Sequence, residues 1–328
     1  MTLKEVARLA NVSASAVSRY FNGGSLSEEK SRAIRAVIEK TGFQPNQLAH
    51  TLRTGRVRQV GVIVPRIHSS AVSQVTAGIN SVLAREGYLL VIGSAGGDIR
   101  QESRYLDMMQ SYQMAGVILM ATSVTPEKQA LYRACSIPLV ITGQQFEGLD
   151  CVYHDDFHAM RELAACMIRR GRRFIGYIGV SEDDPAVGQL RRQGAQAALR
   201  EAGLDADAMP IVTASFQMES GHEAMVRLLS EHPELDGVLC ATDVIAHGAL
   251  LALHEAGRRV PDDISIAGIG DDRADRISVP QLSVARLYQT ECGRDAAACL
   301  LQRLEAPGRG GPARQSMLGY TIIERGSI

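Results

Sequence analysis

The hydrophobic positions at the start of the chain recur at helical spacing. Leu3, Val6, Ala7 and Ala10 are separated by one, three and four residues, which places them on one face of a helix. Thr2 precedes this face, and a threonine at that position caps a helix because its side-chain oxygen accepts a hydrogen bond from a free backbone N–H. The pattern therefore predicts a first helix that begins just after Thr2.

Two more short helices are predicted before residue 45. Ser13 is placed to cap the first of them, which runs through Val17 and Phe21 and is stopped by Asn-Gly-Gly. Ser27 begins the other, and two glutamates follow it at the end of the helix where negative charge is favourable. Gly42 closes that helix. No strand pattern occurs in this part of the sequence.

Beyond residue 58 the pattern changes to short apolar runs that alternate with helical segments. Gln59–Val64 (QVGVIV) is a continuous apolar run, which indicates a strand buried on both faces. This alternation predicts parallel, doubly wound sheets, and we expect two such lobes because about 270 residues is large for one sheet. Further strands are predicted at Leu89–Ile92, Gly116–Met120, Pro138–Ile141, Phe174–Ile178, Ile211–Thr213, Gly237–Ala241 and Ile264–Ala267, and helices near Ser103–Gln113, after Pro126, and at Leu190–Ala202, Glu219–Leu229 and Val244–Glu255.

Charge is unevenly distributed along the chain. The first 53 residues carry eight Lys or Arg and four Glu, a formal charge of +4, which leaves −5 for the rest of a chain whose net charge is −1. A basic head on an acidic body favours an anionic partner for the head alone. No run of 18 apolar residues is present and MTLKEVARLA does not fit a signal peptide, so we expect a cytoplasmic protein that does not enter a membrane.

The segment LKEVARLANVSASAVSRYFNG predicts a helix-turn-helix, in which one helix braces a second that enters the major groove. Ala14, Ser15, Ser18 and Arg19 fall near the exposed front of the second helix. Arg19 can read guanine through two hydrogen bonds or hold a phosphate, and Ser13 and Ser18 can hold phosphate oxygens. From periodicity alone, an ordinary helical pair packed against the body is the alternative.

The segment TLKEVARLANVSASAVSRYFNG, followed by SEEKSRAIRAVIEKTGFQPNQLAHTLRTG, resembles the head of the LacI/GalR (lac repressor/galactose repressor) family of transcription regulators. TDVIAHGAL and IAGIGDD resemble the effector core of that family, so the resemblance covers nearly the whole chain. It implies an all-α helix-turn-helix head, a hinge, and an α/β two-lobed core of the type I periplasmic-binding-protein kind. The implied domains are 1–44, 45–56 and 57–328, with an N-lobe at about 57–156 and 287–318 and a C-lobe at about 157–286 and 319–328.

The resemblance implies DNA contacts in the second helix and in the hinge. Ala14 and Ser15 stand where members present base-reading side chains, and both are small, so the operator sequence is left open. Leu52 matches the leucine that wedges into the minor groove and kinks the central base step, with a plain packing leucine as the alternative. The implied DNA-binding residues are Thr2, Ser13, Ala14, Ser15, Ser18, Arg19, Asn22, Asn46, Ala49, Leu52 and Arg53.

Candidate effector-binding residues follow predicted strands, where open α/β sheets bind ligands. In the resemblance, Arg191 aligns with the arginine that holds effector hydroxyls and Asp243 with the sugar-binding acid, a pair whose donors and acceptors suit polyols. The alternatives are a helix cap for Asp243, Arg192 as the inward residue, and a brace of the cleft floor for Asp271. The expected set is Arg66, Asp156, Arg191, Phe216, Asp243 and Asp271, with the phenyl ring stacking on a sugar.

Arg66 distinguishes this chain from most members, which carry a short residue after the first strand. Together with the GV…D…GQLRR stretch, it resembles the trehalose/sucrose repressor-like subgroup, in which the trehalose repressor responds to a phosphorylated disaccharide. Arg66 and Arg191, converging from opposite lobes, would suit a phosphate. We therefore expect a phosphosugar or a disaccharide, with an exposed surface arginine as the alternative interpretation of Arg66.

Other chemistry is not indicated by the sequence. GIGDDR lacks the third glycine of a dinucleotide fingerprint, and no GxxxxGK[ST] motif or Ser-His-Asp spacing is visible, so we do not expect an enzyme. His154 and His158 lie beside Asp155 and Asp156, but a strand end and a helix start separate them. We therefore expect no metal and no other cofactor. A transport binding protein is a rival that the absent signal peptide and the N-terminal DNA reader oppose.

The sequence thus predicts a repressor of a carbohydrate-utilisation operon that a sugar or sugar-phosphate effector releases from DNA. One reader covers one half-site, so specific binding requires a homodimer on palindromic double-stranded DNA. We expect dimer contacts near Val72–Leu83 and Leu89–Tyr105, and a dimer rather than a tetramer because no leucine-heptad tail is present. A corepressor that tightens DNA binding is compatible with the same fold.

Overall fold

The computed structural model describes residues 1–21, 24–43, 58–305 and 311–328. The chain forms two compact units, Met1–Arg58 and Gln59–Ile328. The helices that it describes in the first unit are α1 (Leu3–Leu9), α2 (Ala14–Phe21) and α3 (Glu28–Thr41).

Local hydrogen bonds define the ends of the helices in the first unit. Thr2 and Glu5 form a capping box at the start of α1, in which the Glu5 N–H donates to Thr2 Oγ1 (3.3 Å) and the Thr2 N–H donates to Glu5 Oε2 (2.7 Å). Gly42 ends α3 with φ of +63°, a conformation that glycine adopts without a Cβ penalty. Ser27 occupies the cap position of α3, as the sequence predicted, and its side chain makes no capping bond. The buried core of this unit is Val6, Ala7, Ala10, Val17, Ile34 and Phe43.

The second unit contains two six-stranded sheets within its described residues. The first sheet has the order β11-β5-β4-β3-β1-β2 and is parallel throughout, and the second has the order β12-β10-β9-β8-β6-β7, in which only β12 is antiparallel to its neighbour. The strands are β1 (Gln59–Val64), β2 (Leu89–Ser94), β3 (Gly116–Met120), β4 (Leu139–Thr142), β5 (Asp150–His154), β6 (Ile175–Gly179), β7 (Ile211–Thr213), β8 (Gly237–Cys240), β9 (Ser265–Ile269), β10 (Ser283–Leu287), β11 (Gln315–Leu318) and β12 (Tyr320–Ile323).

Helices pack around both sheets. They are α4 (Ser70–Leu83), α5 (Ile99–Ser111), α6 (Pro126–Arg133), α7 (Asp156–Arg169), α8 (Arg191–Glu201), α9 (Met218–Glu231), α10 (Asp243–Glu255), α11 (Arg273–Ile277) and α12 (Gln289–Glu305), and a π-helical turn (Pro185–Leu190) precedes α8. None of the helices in the described part of the chain is long and apolar enough to cross a membrane.

Each lobe is assembled from separate stretches of sequence. The chain leaves the first sheet after β5, builds the second sheet through β10, returns for α12 and β11, and ends with β12 in the second sheet. The sequence analysis assigned no strand at β10, β11 or β12, and at β5 it inferred only that a strand ends near His154. The side chains of β11 are mostly exposed, so this strand lacks the continuous apolar run by which a buried parallel strand is identified.

Two helix pairs pack so closely that glycine is required at the crossing. A Cβ atom added at Gly78 on α4 would lie 2.1 Å from the carbonyl oxygen of Thr290 on α12. A Cβ atom at Gly248 on α10 would lie 1.9 Å from the carbonyl oxygen of Met218 on α9. These contacts hold the amino-terminal ends of α9 and α12 against α10 and α4, and residues of all four helices line the cleft between the lobes.

Candidate functional site

The second helix of the first unit presents the expected recognition residues to solvent. Ser13, Ala14, Ser15 and Arg19 are exposed and Ser18 is half-buried, while the neighbouring Ala16 and Val17 are buried against the other helices. The hydroxyl of Ser13 accepts a hydrogen bond from the Ala16 N–H at 3.2 Å, so Ser13 caps α2 as the sequence predicted.

Most exposed side chains on the front of α2 are small and extend only a short distance from the helix. Arg19 is the longest of the exposed candidates on this helix, and its Nε donates to the Ser15 carbonyl oxygen at 3.4 Å. Thr2 is exposed and forms the cap of α1. Asn22, Asn46, Ala49, Leu52 and Arg53 lie outside the described residues, so the DNA contacts expected of them stay predictions.

A cavity of about 670 Å³ lies between the two lobes of the second unit. Such a volume is typical of sites that enclose a small organic ligand. Of the six residues expected to bind the effector, five line it: Arg66, Arg191, Phe216, Asp243 and Asp271. The carboxyl ends of β1, β4 and β5 in one lobe face those of β8 and β9 in the other, which agrees with the rule that ligands bind at strand ends.

The sixth residue, Asp156, lies behind the cavity wall. Its Oδ1 accepts hydrogen bonds from Arg191 Nε (2.7 Å) and approaches Arg191 Nη2 (2.6 Å), and both side chains are almost fully buried. Arg191 Nη1 also donates to the carbonyl oxygen of Ala241 (2.5 Å). The ligand contact predicted for Asp156 is therefore replaced by a positioning contact, because its carboxylate is covered by the guanidinium that it holds. Arg192 pairs with Glu182 outside the cavity, so Arg191 is the inward arginine.

Asp243 is the first residue of α10, and Thr242 supplies the cap through a hydrogen bond from the Ile245 N–H (3.3 Å). Asp243 Oδ1 accepts from the Val244 N–H at 2.8 Å. A Cβ atom at Gly270 would lie 1.8 Å from Asp243 Oδ2, so the carboxylate rests directly on that glycine. Burial and the neighbouring Asp275 carboxylate raise the pKa of Asp243 to about 7.

Asp243→Asn is expected to make the protein relatively more stable as pH rises. The pKa of Asp243 in the folded chain, about 7, exceeds its ordinary value of 3.8, so the folded state holds a proton that the unfolded state releases between these values. The free energy of unfolding of the wild type therefore falls as pH rises toward 7. Asparagine does not titrate, so the variant does not show this fall. Thermal unfolding at pH 5, 6, 7 and 8 should show the gap between variant and wild type widening up to about pH 7 and then levelling off.

Asp295→Asn, at an exposed carboxylate on α12, is the matched control. This variant should follow the wild-type pH profile. A constant gap between Asp243→Asn and wild type across the whole range would contradict a raised pKa at Asp243.

Asp271 is held by three arginines at the edge of the cavity. Its carboxylate lies 2.7 Å from Arg276 Nη2, 2.5 Å from Arg325 Nη2 and 3.7 Å from Arg286 Nη1, and its side chain is 2% exposed. Although burial opposes ionisation, the hydrogen bonds from Arg276 and Arg325 hold the pKa of Asp271 below its ordinary value. Asp271 thus lines the cavity and also braces it, which combines the two roles considered from the sequence.

Arg66 and Phe216 meet across the cleft from opposite lobes. The guanidinium carbon of Arg66 lies 3.9 Å from the centroid of the Phe216 ring, a cation–π contact. Burial lowers the pKa of Arg66 from 12.5, while the Asp184 carboxylate opposes this shift. One face of the phenyl ring is therefore covered by arginine, so the sugar stacking expected of Phe216 is confined to its other face or requires Arg66 to move.

Gln144, His154, Asp184 and Arg286 also line the cavity, although the sequence analysis did not place them among the effector-binding residues. Gln144 Nε2 donates to Asp184 Oδ1 (2.7 Å), and Gln144 Oε1 accepts from the Ala186 N–H (3.3 Å), which forms a buried polar bridge between the lobes. His154 is buried, its Nε2 has no partner within the described residues, and burial lowers its pKa. Gln144 and His154 both follow or end first-lobe strands, so the strand-end rule would have found them had it been applied to every strand.

His154 and His158, which lie beside two aspartates in the sequence, have different surroundings in the structure. His158 Nδ1 lies 2.8 Å from Asp155 Oδ1 near the surface, whereas His154 is buried at the cavity. Across the described segments, no group of three or more His, Cys, Asp or Glu side chains is arranged to hold a metal ion.

Comparison with known proteins matches both units. Residues 2–46 match the family model described as bacterial regulatory proteins, lacI family, and residues 164–328 match the periplasmic binding protein-like domain. A sucrose operon repressor of Staphylococcus xylosus is 31% identical over 253 residues, which are 77% of this chain and 77% of that protein.

Two solved structures extend over the whole chain. The complex of the transcriptional regulator CelR with cellobiose has 25% identity and a TM-score of 0.77, covering 100% of this chain and 99% of that one. The lac repressor dimer bound to operator and the anti-inducer ONPF has 21% identity and a TM-score of 0.90, covering 100% and 98%. These likenesses confirm the predicted fold class, a helix-turn-helix head with a two-lobed, periplasmic-binding-protein-like core.

Proposed function

The chain belongs to the LacI family of bacterial regulatory proteins, and we propose that it represses a carbohydrate-utilisation operon under the control of a sugar-type effector. One observation carries the effector part of this proposal. The cavity between the lobes brings together Arg191, Asp243 and the Phe216 ring, which offer donors, acceptors and an aromatic face to a polyhydroxylated ligand. The sucrose operon repressor and the cellobiose complex of CelR are relatives whose names connect them with sugars.

The proposed mechanism links the cavity to DNA through the relative position of the two lobes. The effector would contact residues of both lobes, and it favours whichever lobe arrangement it binds more tightly. If the effector releases the repressor from DNA, the lobe arrangement that it favours must position the two heads less well on the two half-sites. A coupling free energy of about 1–3 kcal/mol is usual for such linkage.

A homodimer supplies the two heads, and the edge strand β2 favours this part of the proposal. Leu89, Val91 and Ile92 on β2 are 53%, 37% and 49% exposed, and Tyr112 just after α5 is 66% exposed. An exposed apolar edge strand normally requires a cover, because its free N–H and C=O groups invite pairing with another chain. This surface overlaps the segment Leu89–Tyr105, where the sequence analysis expected dimer contacts.

The same proposal assigns the protein a binding role without catalysis, at the chromosome and therefore in the cytoplasm. Its relatives are transcriptional regulators, and the cavity is lined by polar and charged side chains that suit ligand recognition. A transport binding protein or a doubly wound enzyme would share the core but would not require the head.

Deletion of residues 1–58 is expected to abolish DNA binding and to leave ligand binding intact, because the second unit holds the whole cavity. Gel shift with a palindromic fragment selected by the full-length protein measures the first property. Thermal stabilisation by a sugar panel measures the second, since a ligand that binds only the folded state raises its stability. A truncated protein that still retains the selected DNA would refute the head's assigned role.

Point variants in the full chain provide the control for this deletion. Arg19→Ala removes the exposed arginine of α2, and Arg32→Ala removes an exposed arginine of α3 that only pairs with Glu28. We expect Arg19→Ala to weaken operator binding by roughly tenfold or more and Arg32→Ala to have little effect. Equal losses from the two variants would indicate a nonspecific charge effect.

A further inference from the structure

The charged side chains around the cavity fall into two groups, those with close partners and those without. Arg191 is held by Asp156 and by the Ala241 carbonyl oxygen. Asp271 is held by Arg276 and Arg325 at hydrogen-bond distance. Arg191 and Asp271 are therefore each paired with an opposite charge within the protein.

Two arginines that line the same cavity have no hydrogen-bond partner among the described residues. Among the described residues, the Arg66 side chain donates no hydrogen bond and forms no ion pair, and its buried Nε has no acceptor. Its nearest charge of opposite sign, Asp184, already accepts hydrogen bonds from Gln144 (2.7 Å) and from the Val187 N–H (3.0 Å). Arg66 is thus left with the Phe216 ring as its main contact.

Arg286 is the second of these arginines, on β10 in the other lobe. Its Nη1 lies 3.7 Å from Asp271 Oδ2, beyond hydrogen-bond distance, and its Nε is buried without an acceptor in the described part of the chain. Because two other guanidiniums already lie within 2.7 Å of that carboxylate, Arg286 is a surplus cation at this edge of the cavity.

Unpartnered buried guanidinium nitrogens are costly to the protein. A guanidinium carries five N–H donors, and buried donors in folded proteins are nearly always hydrogen-bonded. Burial also lowers the pKa of Arg66, and the Asp184 carboxylate offsets this shift only in part. Arg66 is half-buried and the Arg286 side chain is 41% exposed, so each can offer donors to an acceptor on a ligand in the cavity that both line, one from each lobe.

Resting on the proposed function, we infer that the effector carries an acidic group, a carboxylate or a phosphate, which is bound by Arg66 from one lobe and Arg286 from the other. Both groups accept paired hydrogen bonds from the planar guanidinium fork, and a net negative charge offsets the surplus positive charge. The inference changes the pair expected from the sequence, Arg66 with Arg191, because Arg191 is committed to Asp156. An anion that contacts both lobes also ties ligand occupancy to their relative position.

The test compares neutral sugars with derivatives that carry a carboxylate or a phosphate, using the full-length protein. The panel pairs glucose with gluconate and with glucose 6-phosphate, and sucrose with sucrose 6-phosphate, and it includes inorganic phosphate alone. Calorimetry or thermal shift should show at least one acidic member binding about tenfold or more tighter than its neutral partner. The gluconate and phosphate arms separate a sugar acid from a sugar phosphate.

Substitution of the two arginines identifies the site. Arg66→Gln and Arg286→Gln should each weaken binding of the acidic ligand by roughly tenfold or more and leave any binding of its neutral partner nearly unchanged. Arg192→Gln is the matched control, since this arginine pairs with Glu182 and does not line the cavity. Undiminished affinity for the acidic ligand in both cavity variants would overturn the assignment.

The remaining outcomes separate this inference from the proposed function. A neutral sugar that binds as tightly as its acidic partner and releases the selected DNA would overturn the inference and uphold the repressor. The inference is also wrong if no acidic member, including inorganic phosphate at tens of millimolar, stabilises the folded protein. If the full-length wild-type protein binds no DNA sequence specifically, the proposed function is refuted instead.

Discussion

Gly248→Ala is expected to lower the free energy of unfolding by about 3 kcal/mol or more, the upper part of the range for overpacked cores. The added Cβ would lie 1.9 Å from the carbonyl oxygen of Met218 and 2.7 Å from the backbone nitrogen of His222. Both atoms belong to the backbone of α9, so no side chain can rotate away to make room. Helices α9 and α10 would have to separate along their whole contact.

The crossing of these two helices is reciprocal, which strengthens the expectation. A Cβ at Gly221 on α9 would lie 2.4 Å from the carbonyl oxygen of Ile245 on α10. Separation of the helices would also move Asp243, the first residue of α10, away from Gly270. The variant should therefore lose ligand response together with stability.

Urea and thermal unfolding followed by circular dichroism measure the effect. Each kcal/mol corresponds to roughly 2–4 °C in Tm for a domain of this size, so a fall of at least about 6 °C is expected. Gly319→Ala is the matched control, because nothing lies within 4 Å of a Cβ at that glycine and it has no left-handed φ. Similar midpoints for Gly248→Ala and Gly319→Ala would show that the helices separate without cost.

The head was largely predictable because its structure is specified by neighbours in sequence. Thr2 and Glu5, which form the capping box, are three residues apart, and Ser13 caps α2 through Ala16 at the same spacing. The buried face of Val6, Ala7 and Val17 follows from helical periodicity within one motif. In such a segment, local propensity and packing favour the same structure.

The cavity was predictable only in part, because its organisation depends on contacts between distant segments. Five expected residues line it, since strand ends in this fold converge on one cleft. The sequence does not show which of these side chains are already paired with other groups of the protein. The Gln144 side chain meets Asp184, 40 residues away, and Arg325 reaches Asp271 across 54 residues. No spacing rule indicates that Arg191 is paired with Asp156 while Arg286 has no hydrogen-bond partner among the described residues.

The clearest energetic consequence of that arrangement concerns Arg191 and Asp156. Arg191→Met or Asp156→Leu alone is expected to cost about 3–5 kcal/mol, because either change leaves an uncompensated charge in a nearly fully buried site. The double variant Arg191→Met/Asp156→Leu removes both charges together. It should be more stable than the sum of the single losses implies, since a buried ion pair replaced by apolar side chains is often tolerated.

A double-mutant cycle in urea measures this coupling, and the exposed pair Arg161–Glu201, at 2.9 Å, provides the control. The coupling in the exposed pair should be far smaller, because solvent screens it and its partners remain hydrated when separated. The folded double variant then separates the two roles of Arg191. If Arg191 contacts the effector, the ligand that stabilises the wild type will no longer stabilise this variant. An undiminished thermal shift would restrict Arg191 to holding the cavity wall in place.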